Sequence, residues 1–211
     1  MQLQGDQRPR ICVVPEFSTS AGQEAVELAA QAGLVLDPWQ AFVLDSSLGE
    51  RPDGTWASTR IGLTVARQNG KGSILEARQL AGLFLFGERL QTYSAHQLDT
   101  ALEAFNRLRD LIEGSEDLSR RVARVNTAHG KEGIELLGGQ RIRFRTRTRG
   151  GGRGFSGETL YFDEAMILPT EAHGALYPTM SAQPNSQVWY TGSAADQEIH
   201  EHCEVFTRLR K

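Results

Sequence analysis

Apolar residues return along this chain in two rhythms. Between 21 and 32, Ala25, Leu28, Ala29 and Ala32 recur at three- and four-residue spacing with Gly33 behind them, which predicts a helix and its stop. Asp37-Pro38 is an N-cap with a first-turn proline, opening a second short helix through Trp39, Gln40 and Leu44. Ile61 to Ala66 reads as a buried strand, Arg67 to Ser73 as a polar, glycine-containing loop, and Ile74 to Leu85 as a helix. A second strand and helix follow at Leu90 to Ser94 and Leu98 to Ile112. Gly138-Gly139 between Ile134–Leu137 and Gln140–Arg145 is a hairpin signal, so an antiparallel insertion or edge is expected there. Glu158 to Phe162 and Gln187 to Thr191 complete the strands, the first running into Asp163-Glu164 and the second into Gly192-Ser193. Strand and helix alternate, which predicts an α/β fold: a three-layer sandwich on a largely parallel central sheet with an antiparallel edge or hairpin. Residues 1–33 read as an N-terminal arm and helix, and 34–211 as the core.

Composition narrows the class. With 211 residues and two cysteines, the chain has the length to build its own core and is no disulfide scaffold. Cys12 and Cys203 lie far apart and lack metal-site spacing. No run of 18 or more apolar residues occurs and the first ten residues are polar, so a soluble, non-secreted protein with no membrane partner is expected. The net charge of −3 argues against coating nucleic acid by bulk electrostatics, yet Arg141, Arg143, Arg145, Arg147, Arg149 and Arg153 follow one another without an acid. Alternate arginines share one face of a strand. They suit DNA phosphates, a guanidinium finger for a neighbouring subunit, or a solvated edge that discourages sheet pairing.

Two segments carry the chemistry. Gly70-Lys71, between a strand and a helix, puts backbone N–H groups and an ammonium at a helix N-terminus, which favours the phosphates of a nucleotide. The segment departs twice from the glycine-x4-Gly-Lys-Ser/Thr pattern: Val65 replaces the first glycine, and Gly72 stands where a magnesium-binding hydroxyl is expected, with Ser73 one place late. Asp163 and Glu164 at a strand end can divide two tasks, Asp163 holding hydrated Mg2+ and Glu164 activating a water; capping a following helix is the plainer alternative. In a parallel sheet both segments belong at the carboxyl edge.

Taken together, Val65-Ala-Arg-Gln-Asn-Gly-Lys-Gly-Ser73, Tyr93-Ser-Ala-His96, Leu160-Tyr-Phe-Asp-Glu-Ala165 and Tyr190-Thr-Gly-Ser193 resemble the ATPase domain of the large terminase subunit of tailed bacteriophages. The resemblance implies a P-loop NTPase sandwich that hydrolyses ATP with Mg2+ and drives double-stranded DNA into a procapsid. It implies a divergent Walker A loop starting at Arg67 and including Gln68, Asn69, Gly70, Lys71, Gly72 and Ser73, with Ser73 and Asp163 near the metal. Glu164 would be the catalytic carboxylate, with Lys71 serving the phosphates. It makes Gln40 an adenine reader beside Trp39, though a helix cap over a core tryptophan reads equally well. It makes Thr191 and Ser193 a coupling segment, which turn chemistry also explains. Arg149 or Arg153 would act in trans within a homo-oligomeric ring on the portal protein, with the small terminase subunit as a further partner.

The resemblance sets the setting as the host bacterial cytoplasm and, transiently, the procapsid. It also implies that the chain lacks the nuclease domain and is truncated at its C-terminus, so no nuclease activity is expected. A helicase-like, nucleic-acid-stimulated ATPase and a non-hydrolysing docking fragment are the alternatives. His96 and His173 have no ligand set around them and read as structural.

Overall fold

The carboxyl ends of five parallel strands share one edge of a seven-stranded sheet, and that edge organises the molecule. The structure is a computed structural model and describes residues 5–147, 157–170, 183–194 and 203–208.

A two-residue strand β1 (Thr19–Ser20) precedes helices α1 (Gly22–Gln31) and α2 (Pro38–Ser47), and pairs with β2 (Gly49–Glu50). The main sheet begins with β3 (Arg60–Thr64), followed by α3 (Lys71–Phe84), β4 (Gln91–Ala95), α4 (Leu98–Glu113) and a short α5 (Glu116–Ser119). Then come β5 (Val122–Asn126), β6 (Gly133–Leu136), β7 (Arg141–Thr146), β8 (Thr159–Phe162), a 3-10 turn (Ala165–Ile167), β9 (Gln187–Gly192) and α6 (Glu204–Arg208). The sheet order is β3-β9-β8-β4-β7-β6-β5, parallel from β3 through β7 and antiparallel over β7-β6-β5. The mixed α/β architecture with an antiparallel edge is the one expected from the pattern. Strand β5 is an addition to it.

Burial explains the sequence of each strand. Strands β4, β8 and β9 are buried along their whole length, as parallel strands covered on both faces must be. One face carries Ile61, Leu63, Tyr93, Ile142, Phe144, Tyr161 and Trp189 against α1 to α4, with Ala25 and Ala29 of α1 in the same core. The other carries Leu160, Phe162, Val188 and Tyr190 against Met166, Val205 and Phe206. Each large apolar side chain so buried contributes roughly 1.5–3 kcal/mol.

At the amino ends of the strands lies a buried polar network. The Arg78 guanidinium of α3, fully buried, donates to Glu88 at 2.6 Å, to Thr159 of β8 at 2.9 Å and to Gln187 of β9 at 3.2 Å. It lies over the Trp56 and Phe86 rings, at 5.7 and 5.3 Å. Thr159 in turn donates to Glu88 at 2.8 Å, and Tyr161 donates to Gln91 of β4 at 2.7 Å. Gly82 keeps α3 close to this cluster, because a Cβ there would come within 2.3 Å of Glu88 Oε2. Burial most strongly opposes charge on Arg78, but the Glu88 carboxylate and Tyr161 together outweigh it and the guanidinium is held above its ordinary range. The network ties α3 to the starts of β4, β8 and β9, and so fixes the relative heights at which their far ends emerge.

Candidate functional site

Strand β3 hands the chain to the loop at the carboxyl edge. Its last residue, Thr64, lies in register with Gly192 of β9, and Val65 N–H donates to Gly192 O at 3.0 Å. The loop turns through Gln68 and Gly70, both left-handed, at φ 59° and 75°. Gly70 is required twice over: a side chain is strained at that φ, and a Cβ would lie 2.6 Å from Gln40 Nε2. Helix α3 therefore starts at Lys71, three residues before the start read from its apolar pattern, and no side chain among the described residues caps its N-terminus. Ser73 N–H bonds back to Gly70 O at 3.2 Å. Arg67, Gln68, Asn69 and Gly70 are exposed, and Lys71, Gly72 and Ser73 half-buried. An uncapped 14-residue helix beginning at a sheet's carboxyl edge presents N–H groups and a partial positive charge to any anion placed there.

Gln40 supports this loop. It is buried, its amide donates to Gly70 O at 2.8 Å, and its carbonyl accepts Asp37 N–H at 2.7 Å. Both ends of the amide expected to read a base edge are thus engaged within the protein, and Gln40 joins the cap of α2 to the loop before α3. At Gly72 a Cβ would meet Glu76 Oε1 at 3.6 Å and Arg107 at 3.9 Å, ordinary contacts, so sterics do not exclude the hydroxyl that the P-loop pattern places there. Glu76 is paired with Arg107 at 2.7 Å, and burial nevertheless pushes its carboxyl above the usual range.

Asp163 and Glu164 emerge from β8 at the same edge. Strand β9 alone separates β8 from β3, so Asp163 stands two strand spacings from β3, about 10 Å, room for a phosphate and a hydrated cation between them. The Asp163 carboxylate is held on three sides: Tyr93 Oη donates to Oδ2 at 2.9 Å, Thr191 Oγ1 to Oδ1 at 2.8 Å, and Glu164 N–H to Oδ1 at 3.0 Å. A carboxylate has about four acceptor directions, so roughly one is left for a cation or its water. Burial, then Asp163 itself, raises the Tyr93 hydroxyl well above its ordinary pKa, so it stays a donor. Thr191 is fully buried and spends its hydroxyl on Asp163, whereas Ser193, half-buried, lies just past the end of β9.

Glu164 adopts φ 54° and ψ 44°, left-handed and uncommon for a non-glycine residue. Among the described residues its Oε2 is buried without a hydrogen-bond partner, the kind of orphan that a water or hydrated ion satisfies. Beneath it lies Arg147, a residue that its place in the sequence groups with the surface arginines. Strand β7 ends at Thr146, and Arg147 turns inward instead of extending the strand's charged face. Its guanidinium donates to Ser94 O at 3.0 Å, Asp163 O at 2.7 Å and Glu164 O at 3.2 Å. Burial lowers its pKa to about 10 while Glu164 and Asp163 support the charge, so it is a cation at neutral pH. Periodicity treats this position as a continuation of the strand; only the packing shows three carbonyl oxygens converging on it.

Arg141, Arg143 and Arg145 do share one face, aligned with Thr92 and Ser94 of β4 and with Glu135 of β6. Arg124 of β5 faces Glu135 in the same register. Burial and the neighbouring charges of Arg141 and Arg145 lower the pKa of Arg143. Arg149, Arg153 and His173 lie outside the described residues; His96 is exposed just beyond β4. Among the described residues no group of three or more His, Cys, Asp or Glu side chains surrounds a metal position, and no helix is long and apolar enough to cross a membrane.

A helix that starts from a glycine-containing loop and a carboxylate-tipped strand, at one edge of a largely parallel sheet flanked by helices, are consistent with a P-loop NTPase-like sandwich. Within that class, the fold is that of the ATPase domains of large terminases from tailed bacteriophages. The HK97 bacteriophage large terminase superposes with a TM-score of 0.70 at 18% identity, over 84% of this chain and 38% of that one. The Thermus phage P74-26 large terminase ATPase domain gives 0.54 at 18%, over 81% and 70%. The large terminase of the thermophilic bacteriophage D6E in complex with ATP-γ-S gives 0.53 at 17%, over 72% and 36%. This chain thus corresponds to under two-fifths of the HK97 protein's length. The sequence matches no protein-family model and no curated protein.

Proposed function

We propose that the chain is the ATP-hydrolysing part of a motor that drives double-stranded DNA into a phage procapsid. The observation that carries this reading is the convergence of the uncapped α3 N-terminus and the Asp163-Glu164 pair at one sheet edge, with β9 between them. Lys71 and the first N–H groups of α3 hold the β- and γ-phosphates. Asp163, with Ser73 as the nearest hydroxyl to the helix start, holds Mg2+, which when bound neutralises phosphate charge. Glu164 takes a proton from a water; that water's oxygen bonds to the γ-phosphorus while the bond to the bridging oxygen breaks, and ADP leaves with the electron pair. Arg149 or Arg153 of a neighbouring protomer is assigned the remaining charge on the transferring phosphoryl, a task suited to a planar guanidinium.

Calorimetric titration of the chain with Mg-ATP tests the binding half. A saturable heat is expected, and Lys71→Ala should weaken binding at least tenfold. No heat, or heat indifferent to Lys71→Ala, contradicts the reading and favours a docking fragment.

The partners follow from the same reading: a ring of copies on the portal protein, the small terminase subunit, and duplex DNA, in the host cytoplasm and then on the procapsid. For DNA the support is the face bearing Arg124, Arg141, Arg143 and Arg145, where Glu135 is the lone acid within strands β5, β6 and β7. Log affinity for duplex DNA falls with log salt by about 0.9 for every phosphate that a protein neutralises. Arg143→Ala with Arg145→Ala should therefore flatten that slope by about 2, measured by fluorescence anisotropy on duplex DNA. An unchanged slope would remove this face from the DNA-binding surface.

A further inference from the structure

We infer that Arg147 is a positioning residue for hydrolysis, setting the direction of the Glu164 carboxylate through the backbone that carries it. The inference rests on the ATPase reading but concerns a residue to which that reading assigned no part in the chemistry.

The physical problem lies at Glu164. A left-handed glutamate is strained and persists only where its surroundings over-determine it. Three hydrogen bonds do so here: Glu164 N–H donates to Asp163 Oδ1, and Glu164 O accepts from Ile167 N–H at 3.0 Å and from Arg147 Nη2 at 3.2 Å. The first two join near neighbours in the chain, whereas Arg147 brings in a separate strand end. Its Nη1 donates to Ser94 O at the end of β4, and its Nη2 is shared between Asp163 O and Glu164 O at the end of β8. The fork references Glu164 to two strands, and those strands are locked at their far ends by the Arg78 and Gln91 hydrogen bonds.

Charge adds to geometry. Arg147 is 9% exposed and close enough to both carboxylates for each to favour its cationic form. Its hydrogen bonds to these two residues go to their main-chain oxygens, so it does not consume Glu164 Oε2 in an ion pair, and that oxygen is buried with no partner among the described residues. A base that must accept a proton from water needs that freedom. A lysine could supply the charge but not the fork, because one ammonium on a flexible stem does not span Ser94 O and Glu164 O with fixed geometry.

The test uses the full chain with duplex DNA and compares Arg147→Met and Arg147→Lys with wild type. Mg-ATP sites and affinity come from calorimetry, turnover from released phosphate, and folding from thermal melts. Misplacing a catalytic group by about 1 Å costs about 100-fold. Arg147→Met should keep Mg-ATP affinity within threefold and lose about 100-fold in kcat per bound nucleotide, with Arg147→Lys intermediate. If Arg147→Met does not fold, the same split between affinity and kcat is read from Arg147→Lys alone. Wild-type kcat per bound nucleotide in the folded variants would overturn the inference, as would a fall in turnover that only matches a fall in the number of ATP sites. Wild-type protein that binds no Mg-ATP, or binds it without turnover on DNA, is a different failure and belongs to the ATPase reading itself.

Discussion

Glu164→Gln should bind Mg-ATP with wild-type affinity and hydrolyse it about 10²–10⁴ times more slowly, the range spanned by loss of a general base. The amide is nearly the size of the carboxylate and leaves untouched the left-handed backbone held by Arg147, Asp163 and Ile167. What it loses is the basic oxygen, Oε2, that is buried with no partner among the described residues. Phosphate release under DNA-stimulated conditions, paired with a Mg-ATP titration, separates the two effects. Unchanged turnover would remove Glu164 from the chemistry and move the search for a base elsewhere along the carboxyl edge.

The largest stability effect is expected at the opposite edge. Glu88→Gln leaves the fully buried Arg78 guanidinium without its anion, beside Thr159, Gln187 and two aromatic rings. Removing one partner of a buried ion pair typically costs about 3–5 kcal/mol, because the remaining charge is uncompensated. For a chain of this size, 1 kcal/mol moves Tm by about 2–4 °C, so a fall of roughly 6–20 °C is expected in a thermal melt. Arg78→Met with Glu88→Leu, which removes both charges, should recover most of the loss. A Glu88→Gln melt within about 2 °C of wild type would show that the network is not what aligns the strands. The alignment matters for function because the same three strands deliver Tyr93, Asp163 and Thr191 to one another at the far edge.

The elements legible in the sequence are those whose burial is simple. Leu160-Tyr-Phe162 and Val188-Trp-Tyr190 are continuous apolar runs, so β8 and β9 announce themselves, whereas β3, read as a buried strand over 61–66, runs Arg60–Thr64 at the sheet's edge with only Ile61 and Leu63 buried. Gly138-Gly139 likewise marks the turn between β6 and β7, with Gly139 at φ 84°. Strand β5, Val122-Ala-Arg-Val-Asn126, is an edge with no fully buried residue, and nothing in its pattern separates it from a loop.

At the site, types and order of residues are legible but not their partners. Lys71, Asp163 and Glu164 can be named because strand ends and glycine loops have sequence signatures. That Gln40 and Thr191 are bonded to Gly70 and Asp163 cannot, since both hydrogen bonds join residues about thirty positions apart. Arg147 misleads because arginine is rarely buried, and residue type alone gives no sign that Arg78 is buried either. Each is buried because several oxygens converge on it, and convergence is a property of the fold.

In the proposed function the α3 N-terminus and the end of β8 form one grip on a single triphosphate. Its most direct test is a crystal structure with ATP-γ-S and Mn2+ in place of Mg2+, the metal located by its anomalous signal. One manganese peak is expected beside Asp163, with the γ-thiophosphate between Lys71 and Glu164. A nucleotide bound against only one of the two segments, or away from this sheet edge altogether, would contradict the claim.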